Sequence, residues 1–491
     1  MRLISKSVLV LVCVVSFLLW TWNGPFQAIA ANTADKTKTA KGHPSESSIK
    51  ANAAFNADKM SDMSDYDPSN PVIPTGDTIK IAAVNVYSGP GALNGQTHFM
   101  ALQWAVHDIN KRGGILVDGK KKLVQLIKAD HMSKQDQCKK ICERMVLQEK
   151  VDVLMGTLGS NMVKIMNEVA NKYKIISWNY AGMSDDLNDA TNFGPYSYMV
   201  TYSTEQVGRA LAYYLGQIRK KESKFYILNQ DYSFGHLSAD GFKEGLKEYY
   251  PGAKIVGEDY HKLYLTDFAP YLEKIKASGA DAVFTADFPP DSSNIVKQAK
   301  QMGLKLPFVS FLMRDAVSMA ELGVDGTKGW VHLDTFDMPN MFKNPGYVKF
   351  YKAWTEAWKK WPAPYNTGSY KIPTGLIASF AMDTYWLLSA IERAGSTHAD
   401  KLAKVLEGDS YQFVTGKVVK MRPCDHKAIQ DFSVTELVPP DKQKESMAIP
   451  PYYWYNDISW AGQLYVVPAA KALPWMDQKL DRCKGKSNWG E

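Results

Sequence analysis

Short apolar runs alternate with amphipathic segments between residue 79 and about residue 394. Apolar runs of about four to eight residues are typical of strands buried on both faces of a parallel sheet, and amphipathic segments are typical of helices covering it. The predicted strands are 79–86, 123–129, 151–155, 174–177, 224–228, 254–260, 282–286 and 307–310. The predicted helices include 95–111, 134–148, 204–217, 234–249, 266–276 and 291–301. This alternation predicts an α/β fold with parallel sheets.

The alternation is interrupted once, at residues 195–201, and then resumes with a similar rhythm. Two α/β lobes are the simplest arrangement that explains this interruption. The last predicted elements are helices 347–358 and 373–393 and strands 414–420 and 432–438. The segment 450–468 is rich in Tyr, Trp and Pro, so we expect it to pack against the body of the protein.

The first 30 residues have the three parts of a secretory signal. Two basic residues precede an apolar run at 8–20, and the small-residue motif Ala28-Ile29-Ala30 follows it. The alternative, an uncleaved membrane anchor, is disfavoured because a bilayer span needs roughly 20 apolar residues. We therefore predict a cleaved signal peptide at 1–30 and export from the cytoplasm.

Composition sets limits on the rest of the chain. Residues 31–77 contain few large apolar side chains, so burial is not expected to offset the entropy of ordering them, and we predict a disordered leader there. The whole chain is 45% hydrophobic and 22% charged, which is typical of globular proteins. Loss of the two basic residues of the signal lowers the formal charge from +7 to +5. A net charge of only +5, without a dense block of basic residues, argues against nucleic-acid binding.

Four cysteines follow the signal, an even number for an oxidising compartment. Cys424 and Cys483 are candidates for a disulfide that would tie down the C-terminal tail. Cys138 and Cys142 lie four residues apart on a predicted helix, which is a poor geometry for a disulfide. A metal site at this second pair is an alternative, although no His or Cys pair follows at ligand spacing.

Motifs of enzymatic chemistry are missing from the sequence. It contains no Gly-x-Ser-x-Gly elbow, no Walker-type phosphate loop and no His-Glu-x-x-His helix. Gly89, Gly91 and Gly95 depart from the dinucleotide-binding spacing, so their loop is either a site for a polar ligand group or a plain turn. The nine histidines have no metal-ligand spacing, and we expect most of them at the surface or in capping positions. We predict neither an enzyme nor a cofactor.

Six separated segments carry motifs that belong together. They are 81–95 with its Ser-Gly-Pro turn, 105–114 (Ala-Val-His-Asp-Ile-Asn-Lys-Arg-Gly-Gly), 151–160 ending in Gly-Thr-Leu-Gly-Ser, 176–177 with its following loop, 231–235, and 281–303 with Lys-Gln-Ala-Lys-Gln-Met-Gly at its end. In this order and spacing, over about residues 79–440, they resemble the branched-chain amino-acid-binding (leucine/isoleucine/valine-binding) family of type I periplasmic binding proteins.

The resemblance implies an α/β fold of two Rossmann-like lobes with parallel sheets, joined by three crossovers. Lobe 1 is expected at 78–200 plus 334–430, and lobe 2 at 201–333 plus 431–470. A C-terminal tail would occupy 471–491. The ligand is expected between the lobes, at the carboxyl ends of the strands.

The resemblance also implies binding residues on lobe 1. Ser160 matches a family serine whose hydroxyl, with nearby backbone N–H groups, holds the ligand carboxylate, as a helix N-terminus favours. Ala181 and Gly182 stand where the family usually has Ala-Thr, so one hydroxyl is missing. Asn94 stands where some members carry an aromatic wall. Trp178 either supplies that aromatic wall or belongs to the core.

On lobe 2, Phe234 and Phe288 fall at positions of family tyrosines, and Tyr202 is expected to face the cleft. The family's acidic partner for a ligand ammonium should lie near residues 312–315. Arg314 at the cleft would favour an anion, whereas Asp315 would keep an ammonium possible. Because a buried ammonium without a carboxylate is costly, the preferred ligand is a small organic, aromatic or branched-chain acid, ahead of amino acids.

The function implied by the resemblance is that of the substrate-binding subunit of an ABC importer. Its partners would be a small-molecule ligand and an ABC permease in the inner membrane, and the protein is expected to be a monomer. The alternative is a ligand sensor that signals to a membrane receptor, since the same fold serves both roles. An enzyme using the cleft is the least favoured hypothesis, because nucleophile and base constellations are missing.

Overall fold

The computed structural model describes residues 49–313, 326–334, 344–367, 370–371, 373, 375–438, 453–454, 458–459 and 461–490. The predicted signal peptide, the first part of the predicted leader, and Arg314 lie outside these ranges. The described residues belong to one structural unit. Within the described ranges, every helix is too short or too polar to span a lipid bilayer.

The first lobe is built on a five-stranded parallel sheet with the order β5-β2-β6-β7-β8. Its strands are β2 (Ile79–Asn85), β5 (Val124–Asp130), β6 (Val153–Gly156), β7 (Ile176–Asn179) and β8 (Ser197–Met199), and helices α1 (Ala92–Lys111), α2 (Gln135–Leu147) and α3 (Ser160–Tyr173) connect them. β2, β6 and β7 are almost entirely buried, which is why they form apolar runs in the sequence. A hairpin of β3 (Ile115–Val117) and β4 (Lys120–Lys122) was not predicted, because three lysines make up β4.

The second lobe contains a seven-stranded sheet with the order β10-β9-β11-β12-β13-β17-β20. Its strands are β9 (Lys224–Gln230), β10 (Lys254–His261), β11 (Ala282–Thr285), β12 (Phe308–Ser310), β13 (Val331–Asp334), β17 (Phe432–Val438) and β20 (Ala461–Val467). The first five in spatial order run parallel, whereas β17 and β20 run antiparallel to their neighbours. The helices are α4 (Thr204–Tyr213), continued by a π-helical turn (Tyr214–Arg219), α5 (Ser233–Tyr249), α6 (Ala269–Ala277) and α7 (Asp291–Gln301).

The chain passes between the two sheets three times: after β8, after β13, and before β17. The second passage brings helices α8 (Pro345–Trp358), α9 (Gly375–Ala394) and α10 (Ala399–Leu406) back to the first lobe. There α9 packs against α1, and its middle is almost wholly buried around Trp386. Trp104, Trp178 and Trp354 lie in the same core.

A small four-stranded sheet corrects two predictions. It contains β1 (Ala53–Ala54), β14 (Ser410–Gln412), β15 (Val418–Met421) and β16 (Ala428–Ile429). The predicted strand 414–420 is wrong in its first half, because a turn at Gly416, whose φ is +87°, separates β14 from β15. The prediction of a disordered leader is wrong from residue 49 onward, since β1 pairs with β14 and the side chains of Met63 and Tyr66 are buried in the first-lobe core.

The C-terminal segment is attached to the first lobe. Helical turn Ala469–Lys471 follows β20, and a disulfide joins Cys424 to Cys483. A further two-stranded ribbon pairs β18 (Tyr453–Trp454) with β19 (Ile458–Ser459). The free thiols of Cys138 and Cys142 are buried in an apolar cluster between α2 and α3. Among the described residues, three potential metal ligands lie close together: Cys424, Asp425 and Cys483. The sulfurs of Cys424 and Cys483 are already bonded to each other in the disulfide.

Candidate functional site

A small cavity lies where the carboxyl ends of the strands of the two lobes face each other. Its volume is about 60 Å³. It is lined by Asn94, His98, Leu158, Gly159, Ser160, Ala181, Met183, Phe380 and, from the second lobe, Tyr232, Phe234, Phe288, Pro289 and Leu312. An apolar cavity with a few polar groups is the usual form of a small-molecule site.

Ser160 supplies hydrogen-bond donors at one wall of the cavity. It is the first residue of α3, and Gly159 before it has a φ of +90°, a conformation that glycine adopts without strain. The Ser160 hydroxyl oxygen accepts hydrogen bonds from the N–H groups of Met183 and Ser184, at 3.3 and 3.2 Å. A hydroxyl has two acceptor positions and one donor, so the hydrogen of Ser160 is left to donate. The N–H groups at the start of α3 add to this donor character.

Asn85 organises the polar side chains beside the cavity. Its Oδ1 accepts from the backbone N–H groups of Val86 (2.8 Å) and Leu158 (3.3 Å). Its Nδ2 donates to the hydroxyl of Tyr180 at 3.0 Å and lies 3.0 Å from Nδ1 of His98. Burial lowers the pKa of His98 to about 3, so this imidazole is neutral near pH 7.

Aromatic side chains form much of the remaining wall. Phe234, at the start of α5, packs near Phe288 with ring centroids 6.4 Å apart, and near Phe311 at 6.0 Å. Phe380 from α9 reaches the cavity from the first lobe and stacks obliquely on His98, with ring centroids 4.3 Å apart. These rings suit an apolar or aromatic body on the ligand.

None of the described residues that line the cavity is charged. The nearby buried carboxylates of the second lobe bond protein groups, although Oδ1 of Asp291 has no hydrogen-bond partner among the described residues. Asp287 accepts from the N–H of Gln230 at 2.9 Å and pairs with His261 at 2.5 Å. Asp291 accepts from the side chain of Gln230 and the N–H of Tyr264 at 2.8 and 2.9 Å, and burial raises the pKa of Asp291 to about 6. These groups position the second-lobe loops and do not form a charged wall.

The two lobes contact each other across the cleft. The Asn94 side chain donates to the carbonyl oxygen of Pro289 at 3.0 Å, and the hydroxyls of Ser133 and Tyr264 lie 3.3 Å apart. A larger outer space of about 350 Å³ shares Leu158, Gly159, Tyr232 and Phe288 with the cavity. The outer space therefore adjoins the inner cavity at these shared residues.

Comparisons with known proteins agree on one family. The periplasmic binding protein family matches residues 78–444, which is most of the chain. The chain belongs to this family. The Leu/Ile/Val/Thr-binding protein of Salmonella typhimurium is 24% identical over 343 residues, covering 69% of this chain and 86% of the relative.

Two solved structures show the same fold. A periplasmic binding protein from Burkholderia mallei has a TM-score of 0.67 at 22% identity, covering 83% of this chain and 99% of that one. A solute-binding protein of an R. palustris ABC transporter, in complex with 4-hydroxybenzoate, has a TM-score of 0.62 at 20% identity, covering 74% and 94%. The predicted fold and family are confirmed, and as a periplasmic binding protein the chain is not an enzyme.

Five of the predicted site residues of this periplasmic binding protein line the cavity: Asn94, Ser160, Ala181, Phe234 and Phe288. They come from both lobes. In the sequence, Ser160 is 66 positions from Asn94, and Phe288 is 194 positions from Asn94. The resemblance therefore brought together residues that local patterns could not connect.

Three predicted residues lie elsewhere. Trp178 is fully buried in the first-lobe core, where its indole N–H donates to the carbonyl of Asp383 at 3.1 Å, so it belongs to the core and not to the aromatic wall. Gly182 donates its N–H to the side chain of Asn179 at 2.7 Å and packs on Val163. Tyr202 lies in a neighbouring small pocket, with its ring near Phe311. Arg314 is outside the described residues.

Sequence reasoning missed several cavity residues: His98, Leu158, Gly159, Met183, Tyr232, Pro289, Leu312 and Phe380. The expectation that most histidines are exposed or capping was wrong, because five of the nine are buried: His98, His131, His261, His332 and His426. One available signal was the position of His98 within the apolar face of α1, beside Phe99 and Met100. Its hydrogen-bond partner Asn85 lies on another element, so its role could not be derived from α1 alone.

Proposed function

We propose that this chain is the exported substrate-binding subunit of an ABC importer, and that it captures an apolar or aromatic carboxylate between its lobes. The observation that carries the proposal is the Ser160 hydroxyl at the start of α3, which accepts two backbone hydrogen bonds, so its hydrogen is left to donate, and which lines an otherwise largely apolar cavity. A carboxylate would accept from this hydroxyl and from the helix N-terminus, while the aromatic rings cover the rest of the ligand.

A ligand without an ammonium group fits this cavity better than an amino acid. The described lining residues include no carboxylate, and a buried ammonium needs such a partner. Among the proteins similar to this chain, one is named for binding leucine, isoleucine, valine and threonine, and another was solved with 4-hydroxybenzoate. Both kinds of ligand carry a carboxylate, and the cavity favours the second kind.

The importer role rests on the family and on the N-terminal sequence. The predicted signal at 1–30 would deliver the protein to the periplasm. We expect the protein to act there as a monomer. Closure of the lobes over the ligand would then present both lobes to a permease in the inner membrane. The cross-lobe contacts of Asn94 and Tyr264 are those that such a closed form would use.

Titration calorimetry on the mature protein tests the ligand class. The probes are benzoate, 4-methylpentanoate, leucine and benzamide. We expect the two plain carboxylates to bind, leucine to bind at least tenfold more weakly than 4-methylpentanoate, and benzamide not to bind. If leucine bound more tightly than 4-methylpentanoate, the inference that the site has no partner for an ammonium group would be refuted. If benzamide bound as tightly as benzoate, the inference that the site recognises a carboxylate would be refuted.

The Ser160→Ala variant tests the site. Loss of a hydrogen bond to a charged group costs about 1.5–3 kcal/mol, so affinity should fall roughly 10- to 150-fold. Ser177→Ala is the matched control, because Ser177 is a buried serine of the same lobe that bonds Asn167 at 2.6 Å and does not line the cavity. Equal effects of the two substitutions would show that Ser160 acts only through stability.

A further inference from the structure

The hydrogen bonds of Asn85 determine which nitrogen of His98 carries the proton. Two backbone N–H groups, from Val86 and Leu158, point at one end of the Asn85 amide, so that end is the oxygen. The other end is therefore the NH₂ group, which lies 3.0 Å from Nδ1 of His98 and from the Tyr180 hydroxyl. A donor at this distance requires Nδ1 to be an acceptor. The neutral ring then carries its hydrogen on Nε2.

The Nε2 atom is also the part of His98 that is left for a ligand. The residue is 6% exposed, lines the cavity, and is held on its faces by Phe380 and Tyr180, with ring centroids at 4.3 and 5.6 Å. Among the described residues, Nε2 has no hydrogen-bond partner. Nε2 is not one of the fully buried side-chain atoms that lack a partner, so it is accessible from the cavity, where a ligand acceptor can reach it.

We propose that His98 is a specificity-determining residue whose Nε2–H donates a hydrogen bond to an oxygen of the bound ligand. This inference rests on the proposed function and adds the kind of atom that the ligand presents at α1. Ser160 and His98 both offer donors, so the cavity selects ligands with acceptor oxygens and rejects ammonium and amine groups at both points. The oxygen at His98 belongs either to the carboxylate itself or to a second group such as a ring hydroxyl.

The tautomer is tested first, by ¹⁵N-edited NMR of the imidazole nitrogens in the ligand-free protein, with His98 assigned from the spectrum of His98→Gln. We expect a neutral ring protonated at Nε2. In Asn85→Asp the carboxylate would accept from Nδ1, so we expect a proton to appear there. A wild-type ring protonated at Nδ1, or at both nitrogens at pH 7, would overturn the proposal whether or not a ligand is at hand.

Binding is tested with a pair of isosteric substitutions, using benzoate and 4-hydroxybenzoate as probes. Glutamine places an NH₂ group near the position of Nε2, whereas asparagine is too short to reach it. We expect His98→Asn to weaken binding about tenfold, as for one lost hydrogen bond, and His98→Gln to stay within about threefold of wild type. The matched control is His107→Asn, on the same helix but outside the cavity, where His107 bonds Asp65.

The two probes distinguish the two sources of the oxygen. If both acids are weakened by His98→Asn, the contact is to the carboxylate; if only 4-hydroxybenzoate is weakened, the contact is to the ring hydroxyl. Unchanged affinity for both acids in His98→Asn, with Ser160→Ala still impaired, would overturn the role of His98 and leave the proposed function standing. Unchanged affinity in Ser160→Ala would instead count against the proposed function.

Discussion

Replacing Arg422 by methionine should strongly destabilise the protein, because this side chain attaches the C-terminal tail through a fully buried guanidinium. All five of its N–H donors are used. Two bond the carboxylate of Asp425 at 2.8 and 2.5 Å, and three bond the carbonyl oxygens of Pro474, Trp475 and Asn488 at 2.8 Å each. Both members of the ion pair are completely inaccessible to solvent.

The magnitude follows from what the substitution leaves behind. Arg422→Met would leave a buried carboxylate at Asp425 without its charged partner and the carbonyls of Pro474 and Asn488 without donors, whereas the Trp475 carbonyl would keep its bond from Lys427. Removal of one member of a buried ion pair typically costs about 3–5 kcal/mol. Replacing both members by apolar side chains is often nearly neutral, so Arg422→Met combined with Asp425→Leu should recover part of the loss.

Urea unfolding followed by tryptophan fluorescence, with the disulfide intact, measures these differences in the free energy of unfolding. Arg482→Met is the control from the same tail, because Arg482 is 34% exposed and pairs with Glu407 near the surface. Its loss should cost about 1 kcal/mol or less. A loss below about 1 kcal/mol in Arg422→Met, or a double variant as unstable as the sum of the two single variants, would refute the reasoning.

Two further predictions concern stability. Removal of the Cys424–Cys483 bond by the paired serine substitutions should lower the free energy of unfolding by up to about 4 kcal/mol, the chain-entropy value for cysteines separated by 59 residues. If the variant unfolded at the same urea concentration as the wild type, this prediction would be contradicted. Burial raises the pKa of Asp383 well above its ordinary value, so the unfolded state ionises first. Wild type should therefore lose up to about 1.4 kcal/mol per pH unit above pH 4, until the folded pKa is reached, and Asp383→Asn should lack this loss. Parallel stability profiles of the two proteins from pH 4 to 7 would show that Asp383 is not responsible.

The sequence alone was sufficient for elements whose pattern is local. The helix predicted at 291–301 is α7 (Asp291–Gln301), and the strand predicted at 432–438 is β17. The apolar residues of α7 recur at helical spacing, and Phe432 and Val434 of β17 alternate with polar residues, as expected for a helix that covers a sheet and a strand that joins it. Elements stabilised by distant partners were missed or misjudged. β1 has only two residues and depends on β14, more than 350 positions away.

The sequence by itself determined the family, the α/β class and the Ser160 wall of the cleft, because these depend on contiguous motifs that each form one strand, turn and helix. Only the tertiary structure decided which side chains share the cavity and in which chemical state. His98 resembles any histidine of an apolar helix until Asn85 and Phe380 surround it. From the sequence, Trp178 could face either a ligand or the core. Its hydrogen bond to the carbonyl of Asp383 places it in the core. Burial and hydrogen-bond partners arise when distant segments pack, so a linear pattern does not contain them.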